Sequence, residues 1–94
     1  MFDFRIGEEG QIILSGRLDA SEAEKAKKAF DTITKSSTVD FKELEYISSA
    51  GLGVLFAAQK RLKDSGQALK LINMSQHIRD VFRYARFDLI FEIA

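Results

Sequence analysis

The chain has 94 residues, of which 46% are hydrophobic and 30% are charged, a composition typical of a folded domain and not of a disordered segment. Its 14 basic and 14 acidic residues give a formal net charge of +0, so direct binding of nucleic acid or of an anionic membrane surface is not expected. The absence of cysteine and the single histidine exclude disulfides, thiolate nucleophiles and most zinc sites, and no metal or other cofactor is expected. No stretch is apolar enough to cross a membrane and no secretory signal is found, which predicts a soluble, cytoplasmic protein.

Hydrophobic periodicity divides the chain into alternating strands and helices. Apolar residues that alternate with polar ones indicate strands, whereas apolar residues that recur every three or four positions indicate amphipathic helices. The first half predicts, in order, a strand around Phe2 and Phe4, a hairpin turn at Gly7–Gly10, a strand at Gln11–Ser15 that Gly16 ends, a helix from Ser21 to about Thr34 capped near Asp19, a strand at Thr38–Phe41 and a loop at Lys42–Tyr46. The second half predicts a helix around Leu52–Leu62 that Gly66 stops, a strand at Ala68–Ile72, a helix that Ser75 opens, and a last strand at Leu89–Ile93.

This alternation indicates an α/β fold. We expect a mixed, mostly parallel sheet that starts with an antiparallel hairpin and has helices packed against it. No proline, linker or repeat divides the chain, so residues 1–94 are expected to form a single domain. Within the second helix, Leu55 and Phe56 are expected to face the core, and Gln59 is expected to face water.

The most informative segment for function is the junction Tyr46-Ile47-Ser48-Ser49-Ala50-Gly51-Leu52-Gly53. Its two glycines lie in the first turn of a helix, although glycine destabilises a helix interior by about 0.5–1 kcal/mol relative to alanine. One interpretation is that a ligand or partner approaches the backbone here, where free N–H groups favour an anion. The alternative is structural: Ser48 or Ser49 caps the helix, while Gly51 and Gly53 let it pack tightly. No phosphate-binding loop and no serine-nucleophile elbow is present.

Three motifs together resemble the STAS-domain family, specifically its single-domain anti-sigma factor antagonists. The junction is similar to the family pattern D/S-S-S/T/A-G-L-G after an aromatic residue, and Gly16-Arg17-Leu18-Asp19 is similar to G-x-L-D. Gly66 and the helix Ile78–Phe82 resemble a third hallmark, so the likeness covers nearly the whole chain. Family members usually continue into a final helix. Since this chain stops at Ala94, we expect that helix to be missing and an apolar surface to be left for a partner or a second copy, as in a homodimer.

The resemblance implies a regulatory binding module of bacterial signalling that is not an enzyme. Its partner would be an anti-sigma factor that is also a serine kinase, and binding would release a sigma factor. The kinase would phosphorylate Ser49 to switch binding off, and a phosphatase would reverse this. The residues implied in partner binding are Asp19, Ser48, Ser49, Gly51 and Gly53. Ser48 stands where the family has an acidic residue, and Ala50 replaces the serine or threonine that follows.

Two functions from other classes stay open beside this one. The chain could be an accessory or scaffold STAS subunit of a lipid-transport or stress-signalling complex, in which the serine is a cap without a switch. It could also be an enzyme or a nucleotide-binding protein. The missing cysteine, the single histidine and the lack of a phosphate loop argue against that third class.

Overall fold

The chain begins with the antiparallel hairpin that its sequence predicts. The computed structural model describes residues 1–94, and in it β1 (Phe2–Ile6) pairs with β2 (Ile12–Leu18). The prediction that Gly16 ends the second strand is wrong, because β2 continues to Leu18. Gly16 has a φ of 82°, and a Cβ at this position would overlap the carbonyl oxygen of Met1. Glycine therefore lets the strand continue through a bend instead of terminating it.

Three further strands lie parallel to β2 and complete a five-stranded sheet. They are β3 (Ser37–Ile47), β4 (Leu69–Ile72) and β5 (Glu92–Ile93), and the strand order in the sheet is β1-β2-β3-β4-β5. Only the β1–β2 pair is antiparallel. The expected mixed, mostly parallel sheet with a hairpin at its start is confirmed.

β3 is one continuous strand of 11 residues, so the predicted loop at Lys42–Tyr46 is wrong. Its pairing with β2 shifts register twice, each time with an extra residue on β3. Each shift reverses which side chains face the core. As a result Leu44 is buried after Phe41, although simple alternation would have put Glu43 inward. The irregular pattern is that of a bulged strand.

The helices α1 (Ala23–Phe30), α2 (Ser49–Asp64) and α3 (Gln76–Tyr84) cover one face of the sheet. Their buried side chains join those of the strands in a single hydrophobic cluster. α1 follows a 3₁₀ turn at Ala20–Glu22 and ends four residues before the predicted Thr34, because Thr32-Ile33-Thr34 are β-branched and favour a helix poorly. None of the helices combines the length and the hydrophobicity that a membrane-spanning helix requires.

The end of the chain differs from the strand predicted over Leu89–Ile93. A 3₁₀ turn occupies Phe87–Leu89, and only Glu92–Ile93 pair with β4. The turn follows Arg86, whose left-handed backbone (φ 63°) redirects the chain after α3. Leu89, the last residue of the turn, is 77% exposed. The apolar run therefore supplies only Phe91 to the buried core.

The faces of α2 differ from the prediction at two positions. Leu55 is fully buried as expected, but Phe56 is 41% exposed and Gln59 is buried. The Gln59 amide donates from Nε2 to the carbonyl oxygen of Ile90 (2.9 Å), and its Oε1 accepts from the N–H of Leu69 (2.8 Å). A buried polar group must be hydrogen-bonded, and Gln59 meets this requirement by joining α2 to β4 and to the turn before β5.

Candidate functional site

The ends of β2 and β3 bring the two predicted site segments together. Leu18 and Ile47 are paired across the two strands, and the N–H of Ser48 donates to the carbonyl oxygen of Leu18 at 2.9 Å. Because neighbouring parallel strands end at the same edge of a sheet, Asp19 follows β2 beside the start of α2. Asp19, Ser48 and Ser49 therefore lie at one edge of the molecule.

Ser48 caps α2. Its backbone is extended (φ −92°, ψ 173°), and its hydroxyl oxygen accepts from the N–H of Gly51 at 3.2 Å. This is the usual role of serine at a helix start, where the first N–H groups have no partner within the helix. Of the two serines, Ser48 is thus the cap that the structural interpretation required.

Ser49 has a different environment from its neighbour. It is the first residue of α2 and is exposed to solvent. A negatively charged group on its hydroxyl would lie at the positive end of the helix dipole, close to free backbone N–H groups. The geometry therefore offers an accessible hydroxyl at a position that stabilises a phosphate.

The two glycines of the junction have opposite surroundings. Gly51 is buried, and a Cβ there would lie 2.8 Å from Cγ of Leu18 and 2.9 Å from Cγ1 of Ile47. Gly53 is exposed, and a Cβ there would meet nothing within 4 Å. Tight packing explains Gly51 but not Gly53, which leaves an uncovered stretch of backbone at the beginning of the second turn of α2.

This difference predicts opposite results for alanine at the two positions. Gly51→Ala should destabilise the chain by about 1–3 kcal/mol, since the added methyl group overpacks the contact with β2 and β3. Gly53→Ala should leave stability unchanged or raise it by up to about 1 kcal/mol through better helix propensity. Urea denaturation of both variants measures the difference. Equal effects at the two positions would contradict the assigned packing.

Asp19 is held in place by the residues that follow it. Its Oδ1 accepts from the hydroxyl of Ser21 (2.6 Å) and from the N–H of Ser21 (3.1 Å). The hydrogen bond from the Ser21 hydroxyl, followed by those from the backbone of Ser21 and Glu22 and by the charge of Arg17, lowers the pKa of Asp19 below its usual value. Asp19 therefore remains a fixed negative charge beside the start of α2.

The sequence interpretation missed a contact between Arg17 and Tyr46 next to these residues. The two are paired across β2 and β3, and the Arg17 guanidinium lies 4.5 Å from the centroid of the Tyr46 ring. This is cation–π geometry. The sequence pattern predicts a loop at Tyr46, and without the bulged register of β3 no local signal links Tyr46 to Arg17.

The structure also has a cleft away from these residues. This cleft has a volume of about 720 Å³ and is lined by residues at the starts of β3 and β4, such as Ser37 and Leu69. It therefore lies at the N-terminal end of β3, whereas Ser49 follows the C-terminal end of that strand. No group of three or more histidine and acidic side chains is arranged to hold a metal ion.

Two curated relatives are similar to the chain over most of its length. BtrV of Bordetella bronchiseptica, provisionally named an anti-sigma factor antagonist, is 34% identical over 83 residues, which are 88% of this chain and 71% of that protein. The anti-sigma-B factor antagonist of Listeria monocytogenes is 30% identical over 86 residues, which are 87% of this chain and 75% of that protein.

The fold is similar to that of SpoIIAA, described as a Bacillus cell fate determinant and as an anti-sigma factor antagonist. Its phosphorylated form has a TM-score of 0.71 and its unphosphorylated form one of 0.77, each at 20% identity. Both comparisons cover 100% of this chain, and they cover 91% and 88% of SpoIIAA respectively. At this identity the likeness concerns the fold.

The family assignment rests on the sequence itself. Residues 4–92 match the family described as "Mlab, STAS domain". This match extends from β1 to the start of β5 and includes the Asp19 and Ser48–Gly53 segments that the strand ends bring together. The chain belongs to the STAS domain family.

Proposed function

We propose that this chain is an anti-sigma factor antagonist, a binding protein without catalytic activity that releases a sigma factor by occupying its anti-sigma factor. The observation that carries the proposal is the exposed Ser49 on the first turn of α2, beside the open backbone at Gly53. The names of the two curated relatives support the same function. Because sigma factors act in the bacterial cytoplasm, the proposal also assigns the chain to that compartment.

The partner in this proposal is an anti-sigma factor that is itself a serine kinase and that phosphorylates Ser49. A separate phosphatase would remove the phosphate and restore binding. Support comes from SpoIIAA, which has the same fold and has been solved in a phosphorylated form. The geometry of the chain adds that Ser49 is exposed to solvent, whereas Ser48 is half-buried and its hydroxyl is used to cap α2.

A phosphate on Ser49 would leave the fold of the isolated chain intact but prevent it from binding its partner. It adds about −1.5 to −2 charges at a helix N-terminus, where the dipole and free N–H groups stabilise it in the isolated chain. In a protein interface the same charge would be buried without a partner, which is strongly unfavourable. The ionised Asp19 at the same edge adds to the negative charge that a partner would meet.

The proposed interface follows the outward side of α2. Ser49 and Gly53 lie four positions apart and so share one face of the helix. The same side continues to Phe56, which is 41% exposed, and to the exposed Ala57. A partner that packs on this face would contact the Gly53 backbone directly and cover the exposed part of the Phe56 ring.

Gly53→Arg tests this interface. The long side chain points into open space in the isolated chain, so we expect the melting temperature to change little. It should weaken binding to an anti-sigma kinase from the same genome by about tenfold or more, since it separates the two surfaces. Titration calorimetry measures the affinity and thermal melting the stability, with Gly53→Ala as the matched control. Parallel losses of affinity and stability would favour a purely structural role for Gly53.

A further inference from the structure

β1 is an edge strand of the sheet, and its outer side is partly exposed at Phe4 and exposed at Ile6 but fully covered at Phe2. It is the first strand in the order β1-β2-β3-β4-β5 and pairs only with β2. The Met1 carbonyl accepts from the N–H of Arg17, and the N–H of Gly7 donates to Gln11. Hydrogen-bonded residues alternate along an antiparallel pair, so odd-numbered residues of β1 bond to β2. The N–H and C=O groups of Phe2, Phe4 and Ile6 therefore point away from the sheet.

The sequence of this edge is complementary to itself. If two copies of Phe2-Asp3-Phe4-Arg5-Ile6 pair antiparallel about Phe4, each Phe4 lies opposite the other Phe4 and each Phe2 lies opposite Ile6. The backbone groups of these residues point outward, so in this register their N–H and C=O groups form hydrogen bonds between the two copies. A register shifted by one residue would place each outward-pointing residue opposite one whose N–H and C=O groups point towards β2, and these hydrogen bonds could not form.

The charges favour the same register. Asp3 and Arg5 are both exposed, and Asp3 of each copy would lie opposite Arg5 of the other copy. These would be non-hydrogen-bonded pairs, in which the side chains are closer together. Arg5 already binds Glu43 within its own chain, with Nη2 2.9 Å from the carboxylate, and its remaining N–H donors are available for a second carboxylate.

We propose that this chain self-associates through β1, which pairs antiparallel with β1 of a second copy in the register centred on Phe4. The two five-stranded sheets then join into one continuous sheet about a two-fold axis. A single edge-strand contact buries little surface, so the dimer is weak and forms in proportion to concentration. The proposal does not depend on the function assigned above.

Lys25 limits this association. Its Nζ donates to the carbonyl oxygen of Phe2 at 2.7 Å and so occupies one of the outward-pointing acceptors of β1. A lysine at an exposed edge is a common protection against pairing with another strand. In the proposed register the same carbonyl would accept from Ile6 of the second copy, so Lys25 must release it for the full set of hydrogen bonds to form.

Charge reversal tests the register, with dissociation constants measured by analytical ultracentrifugation over a concentration series. Asp3→Arg and Arg5→Asp should each weaken self-association by about tenfold or more, since each variant places like charges opposite one another twice. The double variant Asp3→Arg/Arg5→Asp should restore it, and so should an equimolar mixture of the two single variants. Circular dichroism verifies that each variant is folded.

Lys25→Met provides a second, independent measurement. Freeing the Phe2 carbonyl should strengthen self-association several-fold, whereas Lys28→Met, an exposed lysine of the same helix with no bond to β1, should leave it unchanged. A wild-type chain that stays monomeric at millimolar concentration would overturn the proposal. Single charge reversals without effect, or a double variant that stays dissociated, would also overturn it.

Discussion

Ser49→Asp is expected to fold as the wild-type chain does and to lose most of its affinity for the anti-sigma partner. A carboxylate in the first turn of α2 is stabilised by about 0.3–1 kcal/mol through the helix dipole, so the isolated chain keeps its stability. In the proposed complex the charge would be buried without a counter-charge, at the same edge as the ionised Asp19. We expect binding to weaken by a factor of about ten or more, measured by titration calorimetry beside thermal melting.

Alanine at each serine provides the controls. Ser49→Ala should bind the partner about as well as the wild type but accept no phosphate, which makes it a constitutively active antagonist. Ser48→Ala should still be phosphorylated, although loss of the cap should destabilise it by about 1 kcal/mol. Mass spectrometry after incubation with kinase and ATP identifies the modified residue. Phosphate on Ser48 alone would contradict the assignment, and phosphate on neither serine would favour an accessory STAS subunit.

Leu55→Ala should have the largest effect on stability. Leu55 is fully buried on the inward face of α2, and its truncation leaves a cavity in the core, which costs about 2–5 kcal/mol. A domain of this length has about 5–14 kcal/mol of stability in total, so much of it would be lost. Chemical denaturation measures the change, with exposed Ala57→Ser in the same helix as control. A loss below about 0.5 kcal/mol would contradict the helix register.

Local patterns in the sequence were sufficient for the architecture. Period-two and period-three-to-four spacing of apolar residues predicted the hairpin, the helices and the buried strand β4, since each depends on residues close together in the chain. A serine cap at Ser48 or Ser49 and the stop at Gly66, which has a φ of 76°, were predictable for the same reason, and the structure assigns the cap to Ser48. The resemblance of the junction to the STAS-domain family was confirmed by the family match.

Features that depend on pairing between distant segments were decided by the tertiary structure. The bulges of β3 place Leu44 inward and Tyr46 beside Arg17, and neither result follows from β3 alone because both depend on its register with β2. Gln59 is buried because two backbone groups far along the chain satisfy its amide.

The same distinction separates the residues of the candidate site. The helix start and its two serines are local features, whereas their position beside Asp19 follows from the parallel pairing of β2 and β3. Gly51 and Gly53 look alike in the sequence. They differ because Leu18 and Ile47 close over one of them and solvent surrounds the other, and this depends on how α2 packs on the sheet.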